Sequence, residues 1–456
     1  MNFQVQLIGP TMPTIAINMN VSYSQMGSVV AARNFGYLIA NLFVIIQHGA
    51  IKKYAYPILT VAFVLATIVM FSVPFVKIMV LMTGLFFLQG ITYGLTDLCA
   101  THILLTMWNL YFAAPFSAAR AGVGMGGVFV YLFIYPFLTK QAASHNDTNV
   151  SGINSTLTVV SATKSAQFNI NIPYFITGGL CALIALGHLF FASREAKNKR
   201  ERLEFKQSDY GTLTSNEGQD EEVPSPYSPR TFGYGDYRYG LTLCTIFICY
   251  IIAVGGNELG FPAFYFTFLK SDRFNVSNSE ANLDNILFWL TNAASRIPVA
   301  ILCVYVATSI ILSVILTSGL CVGIIWLIVI WVVGATSTSL CILGAAAGAV
   351  LGALFPLSMA YISERMQVTH VALAYLYSSE AIGGVLFSKI SGDVIDWDAR
   401  HFITLYTVGI TVNVILYFAA ESVYFAHQRK TSFDKQTSVT NGVTLAPENV
   451  TEQEDK

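Results

Sequence analysis

Apolar positions run along this 456-residue chain in long blocks, without the alternation of strands or the one-sided stripe of surface helices. Crossing a hydrocarbon core of about 30 Å takes about 20 apolar residues as a helix. Blocks of that order fall at 3–19, 25–47, 55–73, 77–107, 115–138 and 171–193, and again at 240–269, 283–306, 308–332, 337–361, 367–391 and 401–426. The pattern predicts an all-α membrane protein with twelve transmembrane helices arranged as six plus six. Two halves of nearly equal length, 1–193 and 240–427, are joined by a linker at 194–239, and a polar tail occupies 428–456. The linker is rich in Lys, Arg, Glu, Ser, Pro and Gly and has no apolar period, so it is expected to be a largely disordered cytoplasmic loop. The first block starts at the initiator Met and reaches Gly9-Pro10 within ten residues. A truncated first helix, through missing N-terminal residues or a natural short form, is expected; a helix that is simply short is the alternative.

Composition narrows the function. Apolar residues make up 54% and charged residues 11%, against roughly 25% charged in soluble domains, which excludes a large soluble enzyme. A net charge of −1 argues against nucleic acid as a partner. The seven Cys all lie in apolar stretches and form no CxxC pair, so neither a disulfide framework nor a metal site is expected. There is no P-loop, HExxH or GxSxG motif, which argues against ATP-driven transport and hydrolysis. No enzyme and no resident cofactor or metal is expected.

Charge distribution sets an orientation. Lys and Arg concentrate in the even-numbered connections and the tail, as at Lys52, Lys53, Arg194, Arg200, Arg365 and Arg429. The positive-inside rule then puts the linker and both termini in the cytoplasm. The glycosylation sequons agree, because Asn146, Asn149, Asn154 and Asn275 fall in connections on the opposite, outer face. A plasma-membrane, multi-pass glycoprotein is the expectation.

Ionisable residues inside spans are costly and are functional candidates by default. Here they are Arg33, Asp97, Arg120, Glu258, Arg296, Glu380 and Lys389. Asp97 and Glu258 form the sharpest pair: a buried carboxylate binds Na+, accepts H+ or hydrogen-bonds a sugar hydroxyl. The alternative for Asp97 is a structural ion pair with Arg33 or Arg120. Glu258 sits beside Gly255-Gly256, with Pro262 four residues on, so its helix is expected to unwind there. Arg33 and Arg296 read first as staples between helices, and Lys389 as a snorkelling residue. Arg33 and Arg120 would favour an anion if both face a cavity. Trp289 offers an aromatic face to a sugar, with Asn292 one turn away; Asn34, Gln89 and Asn257 are further amide candidates. Gly84, Gly90, Gly94, Gly122, Gly344, Gly348 and Gly352 read as packing positions where helices meet closely.

Several of these segments resemble a known family. They are Gly9-Pro10-Thr11; Ala32-Arg33 through Gly36-Tyr37-Leu38; Gln89-Gly90 through Asp97 to Trp108; Phe288-Trp289 through Arg296; and Phe355-Pro356 through Glu364-Arg365 to Gly383. Together with Glu258 they resemble the sodium-dependent glucose transporter 1-like branch of the major facilitator superfamily, itself similar to bacterial fucose permeases. The resemblance implies the major facilitator fold and a monomer in the lipid bilayer. It also implies alternating-access transport of a hexose such as glucose, coupled to Na+. Departures from the family pattern stand at Thr101-His102, at Arg120 in place of a His, and at Glu380 one turn before Gly384. Two other readings stay open: facilitative transport of another small solute such as urea or an organic anion, and a non-transporting nutrient sensor or scaffold that uses the linker and tail to recruit partners.

Overall fold

Lipid supplies no hydrogen-bond partner, so a spanning backbone must satisfy its own polar groups, which helices do. The computed structural model describes residues 2–46, 48–108, 113–146, 170–208, 228–367 and 370–443, and among these no strand occurs. The first half comprises α1 (Asn2–Gln6 and Ile8–Met19), α2 (Tyr23–Ile46), α3 (His48–Ser72), α4 (Met79–Trp108), α5 (Ala113–Asn146) and α6 (Asn171–Ser208). The second comprises α7 (Tyr237–Gly255, a π-helical turn Gly256–Gly260, then Phe261–Lys270), α8 (Asn278–Ala294 and Arg296–Tyr305), α9 (Thr308–Ile328), α10 (Ser337–Arg365), α11 (His370–Asp398) and α12 (His401–Val443). Ten of these helical segments, all after α2, are long and apolar enough to cross a membrane; α1 and α2 complete the expected twelve.

Small residues bring the helices together. A Cβ on Gly90 of α4 would collide with the Arg33 carbonyl of α2, and one on Gly352 of α10 with the Asn292 carbonyl of α8. These seams therefore rest on backbone-to-backbone approach, the packing device available where no hydrophobic force drives helices together in lipid. Gly344 and Gly348 face Tyr265 and α8 in the same way. Gly84 and Gly122 correct the expectation: nothing lies within 4 Å of a Cβ at either.

The halves meet chiefly along α2 and α11, with further seams between α5 and α8 and between α1 and α7. At one end of the bundle the first backbone N–H groups of α2 are capped by α11. Tyr23 and Ser24 donate to the Asp396 carboxylate at 3.1 and 2.6 Å. Ser24 Oγ also donates to Asp393, and Lys389 Nζ reaches Ser24 Oγ at 3.0 Å and Asp393 at 2.6 Å. Lys389 is thus part of the seam as well as half exposed, beyond the snorkelling role expected of it.

Two polar segments differ from expectation. Helix α6 runs on to Ser208, so the first part of the linker is helical; residues 194–208 contain no Gly or Pro and are rich in Glu, Lys and Arg, good helix formers. Helix α12 likewise continues through the start of the tail to Val443. Residues 209–227 of the linker lie outside the described residues, as do Asn149, Asn154 and the side chain of Asn146, while its last part carries a short helix, Pro229–Phe232, and the start of α7. Asn275 is exposed in the turn between α7 and α8.

Candidate functional site

Two helices lose regularity at the same depth, one in each half. Pro10 has no N–H to offer the Gln6 carbonyl, and α1 breaks at Leu7. Pro262 likewise leaves the Glu258 carbonyl without its partner, and α7 widens into the π turn that carries Glu258. The unwinding expected from the glycines and Pro262 is present in this form; π turns interrupt helices most often at functional sites.

Between these breaks lies a narrow cleft whose empty space, about 440 Å³, includes open solvent. Its walls come from both halves: Gln6 of α1, Arg33 of α2, Tyr93 of α4, Glu258 of α7, and Trp289 and Asn292 of α8. Arg296 also lines it, and its guanidinium lies 3.8 Å from Glu258 Oε1. Arg296 donates to Asn292 Oδ1 at 3.3 Å and to the Arg120 carbonyl of α5, linking the halves. Three buried polar atoms of the wall, Glu258 Oε2, Trp289 Nε1 and Arg296 Nε, have no hydrogen-bond partner among the described residues. Trp289 packs against Gly127 of α5, where a Cβ would strike its ring.

Beside the cavity sits a second polar cluster. Arg120 Nη2 donates to Asp97 Oδ2 and to the Tyr377 hydroxyl, both at 3.0 Å, and its guanidinium lies over the Phe355 ring at 4.8 Å. Thr101 and Tyr377 hydroxyls meet at 3.3 Å. Tyr37 Oη lies 3.1 Å from Asp97 Oδ2 and 3.2 Å from Glu380 Oε2. One phenol has one proton, so only one of these carboxylates receives it at a time. Glu380 Oε1 is buried with no partner among the described residues. This cluster therefore holds two acids, one guanidinium and, between the two acids, one phenol proton.

The structure thus sorts the candidates. Arg33, Glu258, Trp289 and Asn292 line the cavity. Asp97, Arg120 and Glu380 form the neighbouring cluster, and Asp97 takes the ion pair with Arg120 that was its alternative reading. Three amides lie elsewhere. Asn34 donates to Ser388 Oγ of α11 at 3.0 Å, and Gln89 to the Gln4 carbonyl of α1 at 3.0 Å, so both fasten helices. Asn257 is buried against Gly409 of α12, because the π turn rotates it away from Glu258. Arg33 does both: it fastens α2 to α1 through the Val5 carbonyl at 3.0 Å, the staple expected of it, and it lines the cavity. Trp326, the other tryptophan buried in the second half, is enclosed by Phe261, Tyr265 and Tyr406 and is not part of the cavity lining. Sequence reasoning missed Tyr37, Tyr93 and Tyr377. Helical spacing carried their signal, since each lies three or four residues from a charged residue: Arg33, Asp97 and Glu380 respectively.

Comparison with known proteins follows the same lines. The family model described as Major Facilitator Superfamily matches residues 1–388. Sodium-dependent glucose transporter 1 of Homo sapiens is 24% identical over 307 residues, covering 65% of this chain and 53% of that protein. The chain thus spans about half the length of that relative. Sodium-dependent glucose transporter 1A of Mus musculus is 22% identical over 410 residues, 86% of each chain. Among solved structures, the nucleoside transporter NupG superposes with a TM-score of 0.57 at 13% identity, covering 92% of this chain and 97% of that one. The E. coli Fucose:proton symporter gives 0.56 at 12% identity, covering 92% and 96%. At these identities the two structures speak for the fold alone.

Proposed function

The chain belongs to the Major Facilitator Superfamily, and within it we propose a Na+-coupled symporter that carries a hexose-sized, hydroxylated solute, glucose being the first to test. As a transporter it needs a site reached from either half, and the cavity between the breaks in α1 and α7 supplies one. The halves would rock about it, exposing it to each side in turn. Glu258, Asn292 and Trp289 would receive solute hydroxyls, and a site that hydrogen-bonds hydroxyls discriminates strongly because its polar groups are otherwise left unpaired.

The observation that carries coupling is the Tyr37 hydroxyl set between Asp97 and Glu380 with one proton for two carboxylates. A cation bound there relieves the repulsion, and its presence then favours one arrangement of α2 against α11. Ion and solute would be linked through Arg120, which holds Asp97, and Arg296, which donates to the Arg120 carbonyl and pairs with Glu258. The names of the curated relatives support Na+ and glucose in these roles. By the positive-inside reading, the seam at Ser24 and Asp393 would close the outer side, with both termini cytoplasmic, Asn275 outside, and a monomer working at the plasma membrane.

The test is uptake of labelled glucose by cells expressing the chain, with surface expression confirmed and external Na+ present or replaced by choline. Uptake that falls in choline supports the reading. Equal uptake in both media refutes Na+ coupling, and no uptake above control cells refutes glucose as cargo.

A further inference from the structure

Among the described residues, pairing the charges inside the bundle leaves two acids, Glu380 and the buried Asp284, and one base, Arg33, over. Arg120 holds Asp97 at 3.0 Å, Arg296 faces Glu258 at 3.8 Å, and Arg365 holds Glu421 at 2.7 Å. Glu380 is left without a cation but has the Tyr37 hydroxyl. Arg33 is left without an acid: among the described residues no carboxylate lies within ion-pair distance. Its side chain is 3% exposed, and its one hydrogen bond runs from Nη1 to the Val5 carbonyl at 3.0 Å. A guanidinium has five N–H donors in a flat fork. Arg33 therefore presents most of its donors to the cavity it lines, with the phenols of Tyr93 and Tyr174 as its ionisable neighbours.

A permanently charged, buried and unpaired group inside a membrane is expensive. The neighbouring arginines avoid that cost by pairing. Arg33 does not, although a Gln in its place would still donate to the Val5 carbonyl. Its fork geometry fits the two oxygens of a carboxylate, the bidentate pairing at which Arg excels and Lys does not. The opposite wall carries groups suited to hydroxyls: Asn292, the free Glu258 Oε2 and the partnerless Trp289 N–H.

We infer that the cargo carries one carboxylate along with its hydroxyls, an acidic sugar or related hydroxy acid, and that Arg33 binds the carboxylate. This rests on the cavity being the transport site. Neutral hexoses fill the hydroxyl-binding wall and leave Arg33 unpaired, so they are the weaker ligands.

The experiment compares D-glucuronate with its neutral amide, which keeps every ring hydroxyl. Binding to the purified full-length chain is followed by thermal stabilisation in detergent, and uptake by proteoliposomes with labelled glucose or labelled glucuronate. The wild type should bind the acid about tenfold or more tightly than the amide, the scale of a charge-assisted bidentate pair. Arg33→Gln should bring the two ligands to within about threefold, and Arg33→Lys should fall between. Because the readout is a ratio within one preparation, a general loss of stability does not imitate it. Should Arg33→Gln fail to fold, the wild-type ratio decides. Acid and amide binding equally well, or neither binding, overturns the inference. Glucose moving while glucuronate neither moves nor competes overturns it and leaves the transport reading intact. Glucuronate binding through Arg33 without flux of either solute upholds the carboxylate subsite and refutes transport.

Discussion

At the scale of single residues, Tyr37 is the pivot. Its hydroxyl is within hydrogen-bond reach of Asp97 on α4 and Glu380 on α11, and so joins one half to the other. Removing it with Tyr37→Phe should weaken apparent affinity for the coupling cation about ten- to a hundredfold, the worth of one hydrogen bond to a charged group; uptake measured against Na+ concentration reads this directly. Arg120 serves a different end. With Arg120→Gln the partly buried Asp97 loses its cation and keeps only the Tyr37 hydroxyl, and the cost should be about 1–3 kcal/mol, visible as a lower unfolding temperature in detergent. Adding Asp97→Asn removes the stranded charge and should recover most of that loss. A double variant as unstable as the single one would show that the pair does not set the cost. The charged members of this cluster were legible in the sequence, because an ionisable residue within an apolar block announces itself. The tyrosines carried only the weaker signal of helical spacing from a charged residue, since a phenol in a membrane span looks like any packing aromatic until its hydroxyl is seen to meet Asp97, Glu380 or Arg120.

At the scale of elements, seams and breaks matter most. The α2–α4 seam rests on Gly90, so Gly90→Val should cost about 1–3 kcal/mol or more by overpacking. Gly84→Ala, six residues earlier on the same helix with open space around it, should be neutral or slightly stabilising. Thermal unfolding of the two variants side by side checks the contrast. The start of α7 rests on Asp236, whose carboxylate accepts the backbone N–H groups of Arg238 and Tyr239 at 2.9 and 3.2 Å. Those N–H groups hold its carboxyl below the usual range. Its contribution is therefore present at neutral pH and lost as pH falls below about 4. Asp236→Ala should destabilise by about 1 kcal/mol near pH 7, and the difference from wild type should shrink on acidification. The spans were legible from apolar block length because lipid forces helices. Which glycines pack was not, since Gly84 and Gly90 share a helix and differ only in what stands opposite. The helical reach of α6 into the linker was hidden because charged residues signal both disorder and exposed helix.

At the scale of the whole molecule, the cavity is a property of neither half alone. Its walls come from α1, α2 and α4 on one side and α7 and α8 on the other, and the breaks in α1 and α7 face it from opposite halves. Gly255-Gly256 and Pro262 made the break in α7 readable from the chain; the break at Pro10 was not anticipated, and the placement of Asn257 against α12 depends on how the π turn rotates successive side chains. Orientation has its own check. Asn275 sits exposed between α7 and α8, and Asn275→Gln should raise gel mobility by the loss of one glycan; unchanged mobility in Asn275→Gln, with glycosidase-resistant wild type, would count against that face being outside.

The central claim is that this cavity moves solute and that the charges around it tie solute to ion. The most direct measurement is accumulation of labelled glucose by the purified chain in proteoliposomes under an imposed Na+ gradient, compared with Glu258→Gln. The account predicts accumulation above equilibrium that collapses when the gradient is dissipated, and at least tenfold slower uptake in Glu258→Gln, whose carboxylate both lines the cavity and faces Arg296. Accumulation that ignores the Na+ gradient, or a Glu258→Gln protein that performs as the wild type does, would contradict it.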